Sequence, residues 1–131
     1  MRFEEVDPLG IVWHGRYPSY FEDGRVAFGD MHALEYLRMR EEGFAAPIVQ
    51  MHLDYHAPLR FGESCRIEAF LHWCDAVRLN FEYRLTRCGD GTLVVSGYTV
   101  QMLTDLQGDV LVAWPEYMED WRERWRRGEK A

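Results

Sequence analysis

The sequence has no surplus of positive charge, no paired-cysteine motif and no long apolar run. With 22 acidic against 15 basic residues, the net charge is −7. A phosphate backbone would be repelled at long range, which disfavours nucleic acid as a partner. Cysteine is scarce. Cys65, Cys74 and Cys88 are odd in number and lack C-x-x-C spacing, so they read as buried thiols in a reducing compartment. No segment approaches the roughly 18 apolar residues of a membrane span. The opening Met-Arg-Phe-Glu-Glu carries no apolar signal segment. The expectation is a cytoplasmic protein without a membrane span.

Against these absences, 47% of the 131 residues are hydrophobic and 15% are aromatic. That composition supports one packed domain over residues 1–131 and argues against disorder. No repeat or linker divides the chain. A domain of this size has no room for a separate nucleotide-binding domain. Any bound group must sit in a shallow site or one shared between subunits, and no metal or redox cofactor is expected.

Residues 2–6 read as a short strand, and Asp7-Pro8-Leu9-Gly10 as a turn. Helical spacing of Tyr20, Phe21, Phe28, Met31, Leu34 and Leu37 predicts a helix over 18–42, with Pro18 in its first turn and Gly43 as its stop. Gly24 and Gly29 are costly inside a helix, by about 1 kcal/mol each. Close approach to a sheet would explain them, and the alternative is a break near Gly29. After Pro47 the period changes to two. Alternation around 49–56, 65–73, 77–85 and 92–104 predicts long antiparallel strands. A short last strand is expected at 110–114 and a terminal helix at 116–127. One helix layered on a large antiparallel sheet is an α+β architecture, and its uncovered surface invites a second subunit.

Three clusters carry competing readings. His52, Asp54 and His56 share a strand face, yet steps of about 6.6 Å are wide for one metal, so a solvent face is preferred. Glu22 and Asp23 suit the positive end of a helix dipole. Tyr117, Trp121 and Trp125 form one stripe on the last helix, expected to pack on the sheet or a partner, with the nearby arginines in solvent.

The stretch richest in chemistry is Asp7-Pro8-Leu9-Gly10-Ile11-Val12-Trp13-His14-Gly15-Arg16-Tyr17. A carboxylate on a turn can attack a carbonyl or activate water. Unpaired N–H groups at a helix start can stabilise an oxyanion. A histidine between them can orient the acid or assist a leaving group.

This stretch, with Tyr20-Phe21-Glu22-Asp23-Gly24-Arg25 and Tyr55-His56-Ala57-Pro58-Leu59-Arg60-Phe61-Gly62-Glu63, resembles the 4-hydroxybenzoyl-CoA thioesterase branch of the hotdog superfamily. The resemblance implies a long helix wrapped by a curved antiparallel sheet. It implies a homodimer or tetramer with active sites at the subunit interface, and an acyl-CoA substrate. By resemblance, Asp7 is the catalytic carboxylate and His14 its assistant. The amides of His14 and Gly15 hold the carbonyl oxygen, and Trp13, Tyr17 and Arg60 contact substrate. Family members often carry basic residues at the start of the fourth strand. Here Trp73-Cys74-Asp75-Ala76-Val77-Arg78 offers only Arg78. The sequence therefore leaves open a thioesterase acting on acyl-carrier protein, or a non-catalytic acyl-binding or assembly module.

Overall fold

A computed structural model describes residues 16–60 and 62–128. The first predicted strand and turn lie outside that range. In chain order the elements are α1 (Tyr17–His32), α2 (Tyr36–Glu41), β1 (Phe44–Ala45), β2 (Ile48–Tyr55), β3 (Cys65–His72), β4 (Arg78–Arg87), β5 (Leu93–Met102), β6 (Thr104–Asp105) and α3 (Glu116–Arg126). The four long strands form one antiparallel sheet in the order β2-β5-β4-β3, and β1 pairs with β6 beside it. This is the expected α+β hotdog architecture: α1 lies across the sheet, and a short helix closes the chain.

Period-two patterning produces the contact between layers. Leu79, Phe81, Tyr83 and Leu85 of β4 all point inward and are buried. Phe21 of α1 stacks on Tyr83 at 4.7 Å, and Phe28 meets Phe81 edge-on at 5.0 Å. Each such ring contributes about 1.5–3 kcal/mol by leaving water. Close approach explains Gly24, where a Cβ would stand 2.9 Å from Ile67 Cγ1 on β3.

The predicted helix over 18–42 is two helices. Ala33 adopts a left-handed conformation with φ 60°, and Gly29 O accepts the N–H of Leu34 at 3.0 Å. The chain turns there because Leu34 is drawn fully into the core. Gly29 is small for this reason and not for the sheet: a Cβ would lie 2.8 Å from Leu34 O. The carbonyls left at the end of α1 are capped from α3. Tyr117 Oη donates to Ala33 O and Trp121 Nε1 to His32 O, each at 2.6 Å.

Three further expectations change. The strand expected at 110–114 reduces to a single bridge between Val110 and Thr104. Asp105 Oδ1 accepts the N–H groups of Gln107 and Asp109 and tightens the turn, and Val112 beyond it is 96% exposed. The cysteines form no disulfide, but Cys65 and Cys74 are half-buried and Cys88 is exposed, so full burial does not hold. Arg122 is not in solvent, because two indoles enclose it.

β2 is an edge strand of the described sheet, and Ile48, Val49 and Tyr55 along it are exposed. A long edge with apolar side chains is a template for another strand. Among the described residues, no helix is long and apolar enough to cross a membrane.

Candidate active site

The start of α1 is built from Arg16, Tyr17, Pro18 and Ser19. Arg16 occupies the N-cap, and its side chain makes no capping bond. Ser19 Oγ donates to Arg16 O at 2.6 Å, so it accepts none of the first-turn N–H groups in that contact. Helix-start amides carry partial positive charge and suit an anionic oxygen.

Tyr17 anchors this end. Its ring is buried and packs on Tyr55 at 5.5 Å and Tyr20 at 6.0 Å. Burial raises its phenol above the usual range, and a backbone hydrogen bond at Leu59 opposes that rise. Tyr17 therefore fastens the helix start to the end of β2 and to the segment carrying Arg60. Arg60 is exposed, and its backbone N–H donates to Glu63 Oε1 at 2.6 Å. Glu63 lines a cleft of about 280 Å³ with Tyr20, Gly62, Ser64 and Cys65. Arg87, a second cation near this end, is occupied by Pro58 O at 3.2 Å and Asp90 at 3.3 Å. Of the remaining residues assigned from sequence, Asp7, Trp13, His14 and Gly15 lie outside the described residues. Tyr17 and Arg60 stand at the same end of the sheet.

The histidine-bearing face of β2 holds itself together. His52 and Asp54 share a hydrogen bond of 2.9 Å, and His56 meets Ser96 Oγ at 2.8 Å. Among the described residues, no group of three His, Cys, Asp or Glu side chains is placed to hold a metal ion.

One network escapes a reading of pattern alone. Arg25 on α1 is 1% exposed. It donates from Nε to Gln101 Oε1 at 2.7 Å and from Nη2 to Leu34 O at 3.1 Å. The rings of Tyr36 and Phe81 flank its guanidinium at 4.7 and 4.9 Å. Burial lowers its pKa, and neighbouring Tyr36 opposes that shift. Gln101 in turn donates from Nε2 to Ala46 O at 2.5 Å and Tyr36 Oη at 3.2 Å. The network lies under a cleft of about 490 Å³ lined by Glu22, Tyr36, Pro47, Ile48 and Leu106, at the opposite end of β2 from Tyr17. The available signal was a lone glutamine inside the apolar alternation of β5.

Comparison with known proteins gives consistent findings. Residues 1–122 match the family model described as the Thioesterase-like superfamily. Acyl-CoA thioesterase YbgC of Haemophilus influenzae is 26% identical over 116 residues, covering 87% of this chain and 83% of the relative. The crystal structure of hypothetical protein TT1821 from Thermus thermophilus superposes with a TM-score of 0.80 at 31% identity, covering 92% of this chain and 91% of that one. A second Thermus thermophilus protein, a thioesterase solved with coenzyme A and Zn, superposes with a TM-score of 0.72 at 26% identity, covering 100% and 91%.

Proposed function

Because the chain belongs to the Thioesterase-like superfamily, we propose that it hydrolyses an acyl-CoA thioester to the free acid and CoA, with Asp7 as the reacting carboxylate. The observation that carries this reading is the start of α1, which follows directly on the Asp7–Arg16 segment and whose N-cap side chain, Arg16, makes no capping hydrogen bond. The thioesterase name of a relative matched over 83% of its length, and a neighbour solved with coenzyme A, support it.

Asp7 has two chemically balanced routes. Its carboxylate attacks the carbonyl carbon, the C–S bond breaks, CoA leaves as thiolate, and water then cleaves the mixed anhydride. Alternatively Asp7 takes a proton from water as the water oxygen attacks the carbonyl carbon, the C–S bond then breaks, and CoA leaves as thiolate and recovers that proton. In both routes negative charge grows on the carbonyl oxygen, where the amides of His14 and Gly15 stabilise it. The His14 side chain assists departure of the thiolate. Trp13 and Arg60 border the substrate, while Tyr17, buried in the core, holds the helix start in place rather than touching it.

The assembly is a homodimer in which the β2 edges of two copies pair antiparallel, covering Val49 and Tyr55. The test is turnover of a panel of short, long and aromatic acyl-CoAs. At least one is hydrolysed, and Asp7→Asn lowers kcat by about 10²-fold or more. An undiminished rate in Asp7→Asn removes the mechanism, and saturable binding without turnover on any of the panel removes the activity.

A further inference from the structure

The cleft above the Arg25 network carries charge of one sign. At about 490 Å³ it has the volume of a small-molecule pocket. Pro47, Ile48 and Leu106 give it apolar walls. Among the described residues that line it, the only side chains with a formal charge are Glu22 and Asp105, and both are acids. Asp105 serves its own turn, where Oδ1 accepts the N–H groups of Gln107 and Asp109.

Glu22 is half-buried and hydrogen-bonded to the Tyr36 hydroxyl. Tyr36 Oη accepts from Gln101 Nε2 at 3.2 Å, and Gln101 Oε1 accepts from Arg25 Nε at 2.7 Å. Glu22 is thus the outer end of a hydrogen-bonded chain that is anchored in the core. Arg25 at the inner end is 1% exposed, and Glu22 already faces its charge. An anion entering the cleft meets a fixed carboxylate and no accessible cation.

We propose that Glu22, held by Tyr36, screens the acyl group by the charge at its far end, excluding chains that end in a carboxylate from the active site of the paired subunit. This rests on the thioesterase reading and its β2-paired dimer. Tyr17 packs on Tyr55 at 5.5 Å, so α1 begins at the Tyr55 end of β2. The cleft contains Ile48, at the other end of that strand. Within one copy, Ile48 and Tyr55 are separated by roughly 23 Å of strand. Full overlap of two antiparallel β2 edges sets Ile48 opposite the partner's Tyr55, one strand spacing or about 5 Å away. A two-fold axis normal to the sheet keeps both α1 helices on the same face. Each cleft then opens beside the partner's helix start, and an acyl chain held there runs toward Glu22. A methyl end meets apolar walls. A carboxylate end gives up water beside a like charge whose one phenol donor is already taken, so the site rejects it.

The test compares hexanoyl-CoA with adipoyl-CoA, chains of equal length that end in a methyl and in a carboxylate. The natural protein favours hexanoyl-CoA in kcat/KM, and Glu22→Gln lowers that preference about tenfold or more, equivalent to about 1.4 kcal/mol. Equal use of the two by the natural protein overturns the filter, as does an unchanged preference in Glu22→Gln, while the thioesterase reading stands in both cases. An equal fall for both substrates also overturns it, because it makes Glu22 structural. Mixed dimers of Asp7→Asn with Glu22→Gln locate the residue. Their one site with an intact Asp7 takes Glu22 from the partner, so the natural preference returns; the Glu22→Gln preference there overturns the arrangement across the two copies. The thioethers S-hexyl-CoA and S-(5-carboxypentyl)-CoA give a readout independent of turnover. If the natural protein hydrolyses neither thioester, the thioesterase reading fails, and the ratio of the two thioether Kd values still decides the filter. A ratio that falls in Glu22→Gln supports it, and an unchanged ratio or no binding of either thioether overturns it.

Discussion

Replacing Gln101 by Leu should be among the most damaging near-isosteric changes in this chain. Gln101 is fully buried, and so is the Arg25 side chain it meets. The substitution removes the acceptor for Arg25 Nε and the donor to Ala46 O. A hydrogen bond to a charged group contributes about 1.5–3 kcal/mol, and a neutral one about 1 kcal/mol. Leucine returns part of that through apolar burial, on the order of 1 kcal/mol. The net loss is about 2–4 kcal/mol, most of it from burying a guanidinium that has lost its partner. Urea unfolding at fixed protomer concentration reads it as a lower midpoint with an unchanged slope. The companion variant is Arg25→Met/Gln101→Leu, which removes the stranded charge and should recover at least about 1 kcal/mol over Gln101→Leu alone. A Gln101→Leu protein within about 0.5 kcal/mol of the natural one would refute the reasoning. So would a double variant less stable than the single one.

Gly24→Ala should cost about 1–3 kcal/mol, because the added methyl meets Ile67 Cγ1 at 2.9 Å between helix and sheet. Thermal unfolding checks it, and an unchanged Tm would mean that α1 can lift away freely. On the outer sheet face, Glu82 is held below the usual carboxylate range, chiefly by its hydrogen bond to His72 and also by Arg84. A depressed folded pKa gives stability that is present above the unfolded value of about 4.3 and lost as pH falls through the folded value. The stability gap between the natural protein and Glu82→Gln should therefore close as pH falls from 7 toward 3. A gap constant with pH would assign no such role to the carboxylate.

The strands could be read from sequence because their information is local. Leu79, Phe81, Tyr83 and Leu85 alternate with polar neighbours, and the pleat turns that alternation into burial. The break at Ala33 could not. Its turn depends on Leu34 reaching the core and on caps from Tyr117 and Trp121, 84 and 89 residues away. The fastening of Arg25 has the same character, since its acceptor lies 76 residues further on. Residues 110–114 have strand-like composition, but only Val110 finds a bridge. At the candidate site, the Asp7–Tyr17 motif was visible as chemistry and as resemblance. The pairing of Glu22 with Tyr36 was not, because the turn at Ala33 brings them together.

The two caps on the end of α1 also set an order of events during synthesis. A ribosome that has released Ala33 has made the carbonyls, but their donors do not exist until Tyr117 and Trp121 have been translated. Water must occupy those oxygens in the interim, so the end of α1 is finished by side chains that emerge 84 and 89 residues after the carbonyls they cap.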